Sequence, residues 1–250
     1  MQKIKIIALI FTLFTLNSCA ELSQIAQSVN QNLPLSNTEI IAGLKEALLV
    51  GADSSVKRLS AVDGYLKDQA VKILLPPEAK TIIDNISKVP GGARLVEDVI
   101  VRINRAAEDA AKGAKPIFVN SVREMTFADG LQILRGPDNA ATSYFRQKTS
   151  QQLAELYRPK VRESLNKNLV AGISTQQSWN ELTTNWNKLA GSTVGKIAGF
   201  KTVDVKLEDY LLQQALNGLF LKIEEREKDI RTNANARVTN ILKRVFGSQK

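Results

Sequence analysis

Apolar residues return at steps of three and four along most of this chain, a period that predicts helices. Asn37 and Thr38 are placed to cap a segment whose stripe is Ile40, Ile41, Leu44, Ala47 and Leu48. A second helix is expected to start at Pro76-Pro77-Glu78 and to end before Pro90-Gly91-Gly92. The next carries Leu95, Val99, Ile103, Ala106 and Ala110, and Gly113 closes it. A short unit follows over Pro116 to Met125. Thr126 with Asp129 three residues on reads as a helix start, Gly136-Pro137 as its end, and Asp138 as the next cap. Ser150 to Asn168 presents Leu153, Leu156, Tyr157, Val161 and Leu165 on one face, with Pro159 expected to kink or break it. Trp179 and Trp186 share a face of the segment from Ser174 to Leu189. The longest helix is predicted from Leu207 to Arg231, with its seam at Leu212, Leu216, Leu219, Ile223 and Ile230, and a last one near Ala236 to Phe246. Only the stretch 191–205 has a strand-like texture, in Thr202-Val203-Asp204-Val205. The fold class is therefore all-α: a single helical domain over residues 37–250, with about eight helices joined by short loops.

The first residues break the pattern. Lys3 and Lys5 precede an apolar run from Ile6 to Leu16 that is too short to span a ~30 Å hydrocarbon core. The run ends in Leu16-Asn17-Ser18-Cys19, which resembles the bacterial lipobox: an aliphatic residue, a small residue before the cleavage point, then Cys. That resemblance implies a lipoprotein signal peptide over 1–18, a diacylglycerol thioether on Cys19 and acylation of the new amino terminus. Residues 19–36, rich in Gln, Asn and Ser, read as a lipidated tether with a reach of about 20–25 Å. Ala20 after the Cys, in place of Asp, leans the expected location to the outer membrane, facing the periplasm.

Composition narrows the chemistry. With no His, neither a Ser-His-Asp system nor an imidazole zinc site can be built, and the single Cys excludes an internal disulfide. No cofactor, metal ligand set or catalytic residue is assigned. The formal charge of +9 falls to +7 once Lys3 and Lys5 leave with the signal. A basic body beside a bilayer is drawn to anionic lipid or an envelope polymer.

Three charged constellations stand out. Glu224-Glu225-Arg226-Glu227-Lys228-Asp229 offers the favourable i,i+4 pairs Glu224–Lys228 and Glu227–Arg231, and reads as a solvated face. Asn104, Arg105 and Glu108 sit in an Ala-rich helix where a neighbour approaches closely; Arg105 either fixes register in an ion pair or awaits an anionic ligand. The stretch 140–168 mixes Arg146, Lys148, Arg158, Lys160, Arg162 and Lys167 with Tyr144, Phe145 and Tyr157. Stacking and phosphate contacts of that kind suit nucleic acid, but a signal peptide removes the chain from it, so no nucleic-acid partner is expected. Arg105, Glu108, Tyr144, Arg146 and Arg231 are the candidate ligand or ion-pair residues; convergence of Arg105, Glu108, Tyr144 and Arg231 on one pocket would favour ligand binding or catalysis, and a filled core a scaffold.

Several blocks occur in a telling order: Asn104-Arg105-Ala106-Ala107-Glu108, Ala114-Lys115-Pro116-Ile117-Phe118, Tyr144-Phe145-Arg146, and Ala215-Leu216-Asn217-Gly218-Leu219-Phe220 through Ile223-Glu224-Glu225 and Ile230-Arg231 to Val245-Phe246-Gly247. Together they resemble a helical bacterial envelope lipoprotein family known only as a domain of unknown function. The resemblance spans roughly Glu39 to Gly247 and implies fold and compartment, but no chemistry. The expectation is a membrane-anchored, non-catalytic binding or scaffold protein of the envelope. The alternative is an envelope hydrolase using carboxylates or a Ser-Lys pair.

Overall fold

The computed structural model describes residues 36–80, 83–84, 92–170 and 173–247. The expected signal peptide, Cys19, nearly all of the expected tether and the end of the helix expected before Pro90 lie outside the described residues.

Nine helices run through the described residues, and the class is all-α. They are α1 (Asn37–Ser60), α2 (Gly92–Ala111), α3 (Ala114–Glu124), α4 (Phe127–Arg135), α5 (Ala140–Asn166), α6 (Thr175–Gly191), α7 (Thr193–Ile197), α8 (Leu207–Thr232) and α9 (Asn240–Gly247). Short 3₁₀ turns stand at Pro77–Ala79 and Ala234–Ala236. A small antiparallel ribbon pairs β1 (Asn168–Val170) with β2 (Ile173–Ser174). Strand pairing therefore falls before the region 191–205, which instead holds α7 and an irregular extended segment.

α5 is the central helix, packed against α8, α2 and α3. Its seam of Phe145, Leu153, Tyr157, Val161 and Leu165 is buried. Phe145 meets Phe118 of α3 edge-on at 5.0 Å, and Phe118 meets Phe220 of α8 at 6.4 Å. Such edge-to-face pairs add to area burial and fix the relative rotation of three helices. On α2, Ala107, Ala110 and Ala111 are almost wholly buried, and their small side chains let α5 approach closely.

Pro159 neither breaks nor ends α5, which runs unbroken from residue 140 to 166. The ring costs one backbone hydrogen bond, but Tyr157, Val161 and Leu165 on either side are buried, and that packing outweighs the local penalty.

α1 lies along α8 and α9. Glycines set the spacing: a Cβ at Gly43 would stand 2.6 Å from Cγ2 of Val245. The α1 N-terminus is capped by Ser36 rather than Asn37 or Thr38: Ser36 Oγ accepts from Glu39 N (3.2 Å), and Glu39 accepts from Ser36 N (2.9 Å). The expected box at Thr126 is present, with Asp129 N donating to Thr126 Oγ1 (3.1 Å) and Thr126 N donating to Asp129 (3.0 Å).

Residues 61–76 carry no helical period, yet Tyr65, Val71 and Ile73 are buried in them. Asp63 takes a left-handed φ of 69°, a conformation Asp tolerates better than bulky residues. This irregular segment needs partners for its backbone, and α2 supplies them.

Candidate functional site

Asn104 on α2 is completely buried. Its side-chain amide behaves like one residue of a strand: Ile73 N donates to Oδ1 (2.9 Å), and Nδ2 donates to Ile73 O (2.8 Å). One turn along, Glu108 accepts from Tyr65 N and Leu66 N, both at 3.2 Å. Its other oxygen accepts from Arg105 Nη1 at 2.6 Å, and Arg105 Nη2 donates to Asp63 at 2.6 Å. Lys67 and Arg105 together hold the Asp63 carboxyl below its usual range. Glu108 and Asp63 in turn raise the Arg105 guanidinium above its ordinary value. Spacing explains the block: Asn104 and Glu108 are four apart, so both face the 61–73 segment from one side of α2. Arg105 braces Glu108 from the flank.

Glu227 on α8 is buried, which corrects the reading of its hexapeptide as a solvated face. It accepts from Ala141 N (2.9 Å), Thr142 N (2.8 Å) and Thr142 Oγ1 (2.8 Å), and so caps α5 from a distant helix. Neither Asp138 nor the N-cap residue Asn139 supplies a side-chain cap. Arg231, one turn on, donates to Glu227 (2.9 Å) and to Ile133 O (3.1 Å) at the end of α4. The two charges straddle the α4–α5 turn, each with the sign that suits its helix end: carboxylate at an N-terminus, guanidinium at a C-terminus.

The other candidate residues have separate surroundings. Tyr144 donates its hydroxyl to Ser121 O (2.9 Å). Arg146 lies over the Phe220 ring at 4.5 Å and donates to Asn217 (3.2 Å). The rest of the basic stretch is largely paired: Arg158 with Glu208 and Asp209, Arg162 with Glu208, Lys160 with Asp109, Lys167 with Glu163. Arg162 and Arg158 hold Glu208 below its usual range despite the opposing effect of burial.

Four cavities frame what remains. A small apolar one inside the helices is lined by Leu48, Phe145, Ile230 and Phe246, with Glu227 and Arg231 at its wall. A groove of about 280 Å³ has Arg105, Asp109 and Lys160 on its sides. A groove of about 350 Å³ contains Ser54, Ser55 and Lys222. There Lys222 Nζ binds Asp68 and Glu225, each at 2.9 Å, while Ser55 Oγ binds the carbonyls of Gly51 and Lys222, so the two side chains do not form a Ser-Lys pair. A cleft of about 490 Å³ opens between α6 and residues 203–209, with Asn180, Thr184, Asn187 and Arg158 along it. Arg105, Glu108, Tyr144 and Arg231 do not share any of the four. Among the described residues, no group of three or more carboxylates or thiols is placed to hold a metal ion.

The profile of a family described as "Protein of unknown function (DUF4197)" matches residues 34–247. The chain belongs to that family. No curated protein and no solved structure matches it. The blocks that carried the resemblance thus fall within a domain whose geometry can be stated. Asn104-Arg105-Ala106-Ala107-Glu108 clamps an irregular segment, and the Glu227–Arg231 pair beside Ile230 clamps a helix turn.

Sequence reasoning missed the partners of both clamps. Asp63, Tyr65 and Ile73 lie in a stretch without periodicity, and Ala141 and Thr142 act through backbone N–H groups that every sequence has. It also missed Asn187, whose amide repeats the Asn104 arrangement: Val203 N donates to Oδ1 (2.7 Å), and Nδ2 donates to Val203 O (2.9 Å). Trp179 and Trp186 donate to Val205 O and Lys201 O from the same helix. Here the signal was available, in two tryptophans and an Asn on one face opposite a non-helical run.

Proposed function

We propose that this chain is a lipid-anchored protein of the bacterial envelope, held at the outer membrane through Cys19 and facing the periplasm, whose helical domain binds rather than catalyses. One observation carries the non-catalytic part. The two most buried carboxylates among the candidate groups, Glu108 and Glu227, spend their acceptor positions on backbone N–H groups and on Arg105 and Arg231. Glu108 accepts three hydrogen bonds and Glu227 five, so both carboxylates serve as clamps on the fold and not as groups offered to a substrate. The anchor is supported by the sequence alone, through the basic start, the short apolar run and the placement of the single Cys. Binding is assigned to the polar cleft beside α6, where Asn180 and Thr184 are exposed; amides and hydroxyls of that kind suit a hydroxyl-rich envelope polymer.

The test of the anchor is metabolic labelling with an alkyne fatty acid. Cys19→Ser is expected to abolish labelling, because the thiol accepts the lipid. Equal labelling of the wild type and the variant removes the anchoring claim.

A further inference from the structure

Large apolar side chains are exposed singly at Val62, Leu74, Phe127, Leu221 and Val238, but four more fall within twelve residues of one another. Leu189 (46% exposed), Val194 (69%), Ile197 (83%) and Phe200 (40%) fall within one corner formed by the end of α6, α7 and the turn after it. The corner is rigidly built. Ser192 caps α7 by accepting from Gly195 N (3.1 Å), and Gly195 itself sits so close that a Cβ there would stand 2.1 Å from Leu189 O. Gly199 turns the chain with φ +71°, Phe200 N donates back to Gly195 O (2.9 Å), and Phe200 stacks against Trp186 at 5.1 Å. The folded chain therefore holds these apolar side chains outward.

Charge gives the corner a partner. From residue 182 to residue 203 the sequence has no Asp or Glu, and its three cations, Lys188, Lys196 and Lys201, are all exposed. Most basic residues of α5 are consumed in ion pairs, whereas among the described residues no ion pair is formed by these three. Val194 and Ile197, the most exposed of the four, put the apolar tip in open solvent. Exposed aliphatic and aromatic side chains interspersed with lysines, in a stretch without acids, are what an anionic bilayer interface accepts. Lysine stems lie along the apolar layer while their heads reach phosphate.

We propose that the corner at residues 188–201 is a membrane-docking tip that inserts Val194, Ile197 and Phe200 into the interface of an anionic lipid surface. It is a contact made by the folded domain and is separate from any lipid on Cys19. Three lysines near an anionic surface favour the docked over the undocked tip by roughly a hundredfold.

Trp186 at the base of the tip provides the readout. The full chain is mixed with vesicles of phosphatidylcholine and phosphatidylglycerol whose acyl chains carry bromine near the headgroup, and tryptophan fluorescence is followed. Quenching is expected with phosphatidylglycerol present, and is expected to vanish in pure phosphatidylcholine, in high salt, in Ile197→Glu, and in the triple variant Lys188→Glu/Lys196→Glu/Lys201→Glu. Those side chains are exposed, so circular dichroism and the melting curve should not move. Flotation reports the anchor separately. Protein that floats with anionic vesicles but shows no quenching overturns the tip and leaves the anchor standing. Quenching that persists in Ile197→Glu and in the triple variant overturns it too, as does self-association through the corner with no quenching. Quenching by anionic vesicles in Cys19→Ser supports the tip whatever the fate of the anchor.

Discussion

Removing the Glu227 carboxylate should cost more than removing any other single polar group in the α4–α5–α8 region. In Glu227→Ala, the N–H groups of Ala141 and Thr142 lose their acceptor, and Arg231, with a side chain only 12% exposed, keeps one bond to Ile133 O and loses its counter-ion. Stranding one partner of a buried pair costs about 3–5 kcal/mol, and losing a helix cap about 1 kcal/mol. Because one carboxylate plays both parts, the two figures overlap, and the expected total is about 4 kcal/mol. A domain with a stability of about 5–15 kcal/mol feels that severely. Glu227→Gln keeps an acceptor for the α5 N-terminus and loses only the charge, so about 2 kcal/mol is expected. Adding Arg231→Met to Glu227→Ala removes the stranded guanidinium, and the double variant should be more stable than the single one. Urea melts of the wild type, these three variants and Arg231→Met alone, five proteins in all, with the slope m checked for constancy, give the comparison. A Glu227→Ala variant within about 1 kcal/mol of wild type, or a double variant whose losses simply add, would refute the clamp.

Arg105→Ala should be milder, at about 1–2 kcal/mol by urea melt, because the guanidinium is 39% exposed and Glu108 keeps its two backbone donors; a loss of 4 kcal/mol or more would mean that those donors do not hold it. Acid should destabilise the fold in a defined window. Asp63, Asp109 and Glu208 all have carboxyls held below their ordinary values of 3.8, 3.8 and 4.5 by neighbouring lysines and arginines, so the stability they contribute is complete above those values and is lost as pH falls through the depressed ones. The urea midpoint is expected to be flat between about pH 7 and pH 5 and to drop below about pH 4; a midpoint that rises on acidification from pH 5 would show those ion pairs to be unimportant.

Features that depend on residues three or four apart were legible in the sequence. The Thr126–Asp129 box is local, and so are the seams of α2, α5 and α8, because burial follows the helical period. Features that depend on distant chain were not. Asp138 looked like a cap because it precedes an apolar-periodic run, yet the acceptor that wins is Glu227 from α8, preorganised by Arg231. Pro159 looked like a breaker because local rules count one lost hydrogen bond, and not the buried side chains that flank it. Lys222 gave no sign of burial, since its partners Asp68 and Glu225 come from a loop and from its own helix. Arg105 and Glu108 were legible as a pair, but the backbone they serve was not, because the 61–76 segment has no pattern to read.

The two clamps also bear on where a function can be sought. Asn104, Glu108, Glu227 and Arg231 direct their polarity inward, to backbone groups that would otherwise be buried without partners. Substituting them perturbs the fold before it perturbs any encounter, so loss of a phenotype in such variants reports stability and says little about binding. Groups with polarity to spare lie elsewhere: Asn180 and Thr184 along the cleft beside α6, and Lys188, Lys196 and Lys201 around the apolar corner. α6 carries both cleft residues and Lys188, and its Trp179, Trp186 and Asn187 hold the 201–205 segment that completes the cleft wall. A surface contact at the corner and a polymer in the cleft would therefore act on the same helix, and loosening Asn187 should weaken the cleft while leaving the corner's exposed side chains in place.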